Sequence, residues 1–128
     1  MMLDEIGAYL ATNSVGTVGT TIFKGVMPDT PVVQIGLFEY QGLESIDASG
    51  GVAAQRPRLQ VVVRGPGSGY LAARSTAETI HTLLNRTGGL TLTGVKYHFI
   101  KALGPPMLIG RDANNNVRIG INFQIVKE

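Results

Sequence analysis

Apolar residues recur at helical spacing in the first dozen positions, where Leu3, Ile6 and Leu10 share one face. Asp4 and Glu5 sit in the first turn, where the positive end of a helix dipole favours anions. The pattern predicts an amphipathic helix over Met2–Thr12, broken by "NSVGTVGT". The stretches "TTIFKG" and "VVQIGLFEYQG" are β-branched and aromatic and read as two strands joined through the turn "MPDTP". In "RLQVVVRG", Leu59, Val61 and Val63 alternate with Gln60, Val62 and Arg64, the mark of a half-buried strand. Over Tyr70–Asn85 the period returns to helical: Ala73, Ala77, Ile80 and Leu84 form a stripe opposite Arg74, Glu78, His81 and Asn85. Three further strands are predicted in "GLTLTG", "VKYHFIKAL" and "NVRIGINFQIVKE", the last with Val117, Ile119, Ile121, Phe123 and Ile125 on one face. "LGPPML" interrupts the sheet, because proline cannot donate to a ladder.

Residues 41–57 show no clear period and carry Gly50-Gly51. They are expected to form a long loop. Its few apolar residues, Leu43, Ile46 and Val52, cannot offset the backbone ordering cost of about 1–2 kcal/mol per residue. The loop is therefore expected to be mobile in an isolated subunit and to order against a neighbour. The element order predicts one α+β domain over residues 1–128, a mostly antiparallel sheet of about four to six strands with two helices packed on one face.

Composition narrows the chemistry. The chain has 128 residues, 44% hydrophobic and 16% charged, enough for a single core without staples. It lacks cysteine, so disulfides and thiolate metal sites are excluded. No stretch has the length and apolarity of a membrane span, and no membrane partner is expected. The formal charge of +2 is too small to make the whole surface attractive to nucleic acid.

"VVVRGPGSGYLAAR" resembles a phosphate cradle in outline. A P-loop, however, requires a Lys after the glycines, and here Tyr70 and Leu71 follow Gly69. The run reads as a turn between strand and helix; a small ligand-binding α+β domain using this GPGSG loop is the alternative of a different class. His81 and His98 have no ligand spacing between them, no two acids form a converging pair, and Ser68 lacks a nucleophile motif. No catalytic, cofactor or metal site is expected, and the protein is not expected to be an enzyme. The cations are spread out, yet Lys96, Lys101 and Arg118 could pool into a basic belt if several copies formed a ring.

The succession "IFKGVMPDTP…IGLFEY", "RPRLQVVVRG…Y..A...A..I...L" and "GPPMLIGRD…NVRIGINFQIVKE" resembles the tail terminator, or minor capsid, proteins of long-tailed bacteriophages. The resemblance spans Leu3 to Glu128. It implies a virion protein, made in the host cytoplasm and placed at the head–tail junction. Such a protein assembles into a ring, commonly a hexamer, that caps the tail tube and meets the head connector or stopper protein, with genomic DNA passing through it. Another head–tail joining or minor capsid protein is the alternative within the class. Arg64, Tyr70, Pro105, Pro106, Gly110, Arg111 and Asp112 match recurrent positions of that family and would serve structure or assembly. With Leu43, Ile46 and Val52, the residues Arg64, Tyr70, Arg111 and Asp112 are the interface candidates; Lys96, Lys101 and Arg118 are the DNA-channel candidates.

Overall fold

The computed structural model describes residues 2–48, 51–85 and 87–128, without the side chains of residues 41, 43–48, 51–53 and 87. The order is α1 (Met2–Thr12), β1 (Ile22–Lys24), β2 (Gln34–Ala48), β3 (Gly51–Gly65), α2 (Tyr70–Leu84), β4 (Thr87–Leu92), β5 (Val95–Ala102), β6 (Met107–Arg111) and β7 (Val117–Lys127). All the strands belong to one seven-stranded sheet in the order β1-β2-β3-β7-β5-β4, with β6 also paired to β7. One edge of β7 pairs with β3, while β6 and then β5 share the other.

The period-two pattern of β3 and β7 builds the core. Register sets Leu59 beside Phe123, Val61 beside Ile121 and Val63 beside Ile119, and β2 adds Leu37 beside Val61 and Ile35 beside Val63. Helix α1 brings Leu3, Ile6 and Leu10 to this layer, and α2 brings Ala73, Ala77, Ile80 and Leu84. Both helices thus cover one face of the sheet, as the two periodicities predict. Gly69 occupies the N-cap of α2 without a side-chain cap bond.

Two expectations are corrected. The sheet is mixed and larger than four to six strands. Strands β1 and β2 run parallel, and β6 is a strand that the two prolines before it conceal. Alternation is also lost in β6 because its register shifts between Leu108 and Gly110, where Gly110 has φ +124°. The second correction concerns residues 41–57, expected as a loop, of which 41–48 and 51–57 are strand. They are the far half of a hairpin in which Leu43 pairs with Arg56, Ile46 with Ala54 and Ala48 with Gly51. Register shifts between Tyr40 and Leu43 and between Leu43 and Ile46 each add a residue to β2, and the shift between Ile46 and Asp47 adds one to β3. Each such bulge resets the in–out alternation, so the sequence carries no period of two there.

Charged groups also enter the core layer. Glu5 lies buried beneath α1, where its Oε1 accepts from the Tyr97 hydroxyl at 2.6 Å and from Lys127 Nζ at 2.9 Å. The Lys127 ammonium also stands 5.3 Å from the centre of the Tyr97 ring. Burial by itself would raise the Glu5 carboxyl, but its hydrogen bonds, those from Tyr97 and Lys127 among them, and the Lys127 charge together hold the group well below the usual carboxylate range. Burial, reinforced by the Glu5 carboxylate, pushes the Tyr97 hydroxyl upward, so it remains a donor. The helix dipole therefore explains little of Glu5, which joins the first helix to the last strand.

Two outcomes follow for unfolding in denaturant. Phe123 is fully buried, and Phe123→Ala is expected to cost about 3–5 kcal/mol; a cost below about 1 kcal/mol would place this face outside the core. Glu5→Gln strands Lys127 and is expected to cost about 3 kcal/mol at neutral pH. Because the folded-state pKa of Glu5 is depressed, its contribution is present above the unfolded carboxyl range and is lost as pH falls. The gap between wild type and variant should narrow below about pH 4; a gap independent of pH would contradict the ion pair.

Candidate assembly surface

Arg64 sits near the end of β3, one residue out of phase with the core positions Val61 and Val63, so its side chain leaves the helix-covered face. It is nevertheless buried, because the segment after β1 folds over it. Arg64 Nε donates to the Val32 carbonyl at 3.0 Å, and Nη2 donates to the carbonyls of Pro28 at 2.6 Å, Asp29 at 3.1 Å and Pro31 at 2.9 Å. Gln34 Nε2 adds bonds to the Pro28 and Pro31 carbonyls. A planar guanidinium with donors in a fixed fork suits such a cluster of carbonyls.

The turn before β7 closes the same corner. Asp112 Oδ1 accepts the backbone N–H groups of Asn114 and Asn116, both at 2.9 Å, and Oδ2 lies 3.8 Å from Arg64 Nη1. The Asn116 N–H bond is the main reason the Asp112 carboxyl lies below its ordinary range. Asn115 takes a left-handed conformation at φ +61°, which Asn tolerates. Arg111 Nη1 donates to the carbonyls of Gly67 at 2.9 Å and Asn115 at 3.0 Å, joining this turn to the glycine run. A Cβ on Gly67 would stand 2.9 Å from the Asn115 carbonyl oxygen, so the close approach requires glycine. Here the GPGSG loop offers a carbonyl to an arginine, which is the reverse of an anion cradle.

Three of the interface candidates, Arg64, Arg111 and Asp112, therefore meet in one corner and bind their own chain. Tyr70 stands apart at the start of α2, partly exposed, with its hydroxyl 3.3 Å from Arg74 Nη1. The side chains of Leu43, Ile46 and Val52 lie outside the described residues; their backbones belong to the distal hairpin. That hairpin outruns the rest of the sheet, for β7 pairs with β3 only as far as Gln55 opposite Lys127.

Away from the helices, the sheet has a second face. Register places Arg58 beside Gln124, with Arg58 Nε donating to Gln124 Oε1 at 3.0 Å, and Lys101 on the far side of Gln124. Arg118 lies between Arg64 and Gly110 on the same face. Lys96, next to the inward Tyr97, points the same way and is exposed. Lys96, Lys101 and Arg118, scattered in sequence, thus share the helix-free face with Arg58, which sequence reasoning left unassigned. Parity along β3 was the available signal. Among the described side chains of β3, β5 and β7 this face carries no acid; Glu128 lies just past β7, 3.7 Å from His98.

Among the described residues no three His, Asp or Glu side chains cluster as metal ligands. An open cavity of about 480 Å³ between the end of α1 and α2 is lined by Asn13, Val15, Ser75, Glu78, Thr79, Thr82 and Leu83. Its one carboxylate, Glu78, lies 3.3 Å from Arg74 Nε one turn earlier on α2.

A family model for bacteriophage tail terminator proteins matches residues 9–128. The chain belongs to the bacteriophage tail terminator family. As a tail terminator family member it is a phage structural protein. No curated protein matches the sequence. The fold is similar to a chain in the solved "Virion of native gene transfer agent (GTA) particle", with a TM-score of 0.68 and 17% identity, covering 86% of this chain and 80% of that one. A second solved structure overlays with a TM-score of 0.61 and 16% identity over 99% of this chain and 90% of the other.

In this terminator fold, Arg64→Lys keeps the charge but removes the fork. It is expected to cost about 2 kcal/mol in denaturant unfolding, as buried carbonyls lose their donors. A cost below about 0.5 kcal/mol would show that the corner does not depend on the guanidinium.

Proposed function

We propose that the protein is the tail terminator of a long-tailed phage or phage-like particle. It closes into a ring, commonly of six copies in its family, that caps the finished tail tube and meets the head connector at the head–tail junction. DNA passes through the lumen without sequence-specific contact. The observation that carries this reading is the helix-free sheet face, with Arg58, Lys96, Lys101 and Arg118 and no acid among the described side chains of β3, β5 and β7. One copy supplies few charges. A ring multiplies them around a central opening, and phosphate neutralisation grows with the number of cations that reach the backbone. Glutamine and asparagine fill the rows between, as Gln60, Asn122 and Gln124, which suits a surface that attracts phosphate without gripping bases.

The distal hairpin supports the same reading. A two-stranded ribbon without a third strand is marginal alone, so residues 41–57, with Leu43, Ile46 and Val52, gain from a neighbour in the ring or from the tail tube. The similar fold in a gene transfer agent virion is a particle context that supports it.

The test uses mass and salt dependence. By light scattering the purified protein should have the mass of a ring of several copies. The triple variant Arg58→Gln, Lys101→Gln, Arg118→Gln should form the same ring. Its binding of non-specific duplex DNA should weaken, and its salt slope should become shallower by about 0.9 for each phosphate no longer neutralised. An unchanged slope would remove the helix-free face from the DNA path, and a protein that stays monomeric would overturn the ring.

A further inference from the structure

We propose that Arg58 is the residue of the helix-free face that grips a DNA phosphate, and that Gln124 and Tyr40 are its positioning residues. The inference rests on the lumen reading above and adds to it which side chain makes the contact and what holds that side chain. Register sets Tyr40, Arg58, Gln124 and Lys101 in one row across β2, β3, β7 and β5. Directly paired residues share a face, so all of them belong to the side away from the helices.

A gap in the ladder builds the row. Between the Gln55–Lys127 and Arg58–Gln124 pairs, no residue pair joins Arg56 or Pro57 to β7. Proline has no N–H to give, and the Gln124 amide fills the gap. Its Nε2 donates to the carbonyls of Arg56 and Pro57, both at 3.3 Å, and of Ile125 at 3.1 Å. With the amide nitrogen committed to carbonyls, the oxygen is the end left for Arg58, and it accepts from Arg58 Nε at 3.0 Å. The Tyr40 ring supplies a second support, with its centre 5.9 Å from the guanidinium carbon, a separation at which the ring face attracts a cation.

This bracing uses Nε and leaves both Nη groups of Arg58 without a hydrogen bond or ion pair among the described residues. Free Nη groups on a planar guanidinium match the oxygens of a phosphate as a fork. The other cations of the face differ. Arg64 spends Nη2 on three carbonyls of its own chain. Arg118 Nε is buried with no hydrogen-bond partner. Lys96 and Lys101 are exposed on flexible stems, and an ammonium acts on phosphate as a point charge. A side chain already placed loses less freedom when the phosphate arrives. The lysines attract the DNA and Arg58 makes the defined contact.

The test is a double-mutant cycle on the assembled protein with non-specific duplex DNA. Gln124→Leu keeps every charge and removes the support on Nε. It should weaken binding about 2- to 10-fold for each copy that touches the DNA, because Arg58 then loses its freedom on contact. The salt slope should stay the same, since the number of cations is unchanged. In an Arg58→Lys background there is no fork to hold, and Gln124→Leu should weaken binding no further. Tyr40→Leu should behave alike in the two backgrounds, and it carries the test if Gln124→Leu lowers the thermal stability of the subunit. Equal losses in both backgrounds, or no loss in either, would overturn the assignment of Arg58, while a shallower slope for the triple variant above would leave the lumen reading standing. A triple variant with an unchanged slope would overturn both.

Discussion

The antiparallel pairing of β3 with β7 is the constraint that governs both faces of the molecule. Nine residue pairs join the two strands, from Gln55 opposite Lys127 to Gly65 opposite Val117. Because side chains alternate, one register decides both faces at once. Leu59, Val61, Val63, Ile119, Ile121 and Phe123 turn toward the helices, and Arg58, Gln60, Arg64, Arg118, Asn122 and Gln124 turn away. A slip by one residue would bury the arginines and expose the core. The same pairing brings the start of β7 beside the end of β3, which is where Arg64, Asp112 and the loop after β1 converge.

Stability thus rests on one face of the sheet, which leaves the other face for the proposed assembly. The helix-covered face holds the apolar core, closed at one end by the Glu5–Tyr97–Lys127 group that ties the first helix to the last strand. The other face and the two lateral edges are free of that duty. Arg64 connects the two roles: buried like a core residue, it shapes a loop whose valines remain outside. Holding such a loop rigid lowers the ordering cost of any contact it makes.

Regular elements were legible in the sequence where one face is buried and uninterrupted. Both helices, the alternating strand through Val63 and the final strand carry their periods in plain view, and the core residues follow those periods. Legibility failed where the backbone departs from the period. Three register shifts, two in β2 and one in β3, hid the distal hairpin within residues 41–57, and the Pro105-Pro106 pair with the bulge at Gly110 hid β6. The corner was legible only as isolated residues. Arg64, Arg111 and Asp112 matched a family pattern, but their partners are carbonyls from loops distant in sequence, which no spacing reveals. The glycine run owes its composition to the same corner, since Gly67 lies against Asn115. Glu5 was misread because a first-turn acid suits a helix dipole as well as a buried ion pair.

In the proposed ring the helix-covered face looks outward and the bare, basic face looks into the lumen. A cryo-electron microscopy map of the assembled protein would decide the orientation. The expected map has α1 and α2 on the outer circumference, with Lys101 and Arg118 facing the central channel. A ring whose channel is lined by the helices, with the bare sheet face outside, would contradict it.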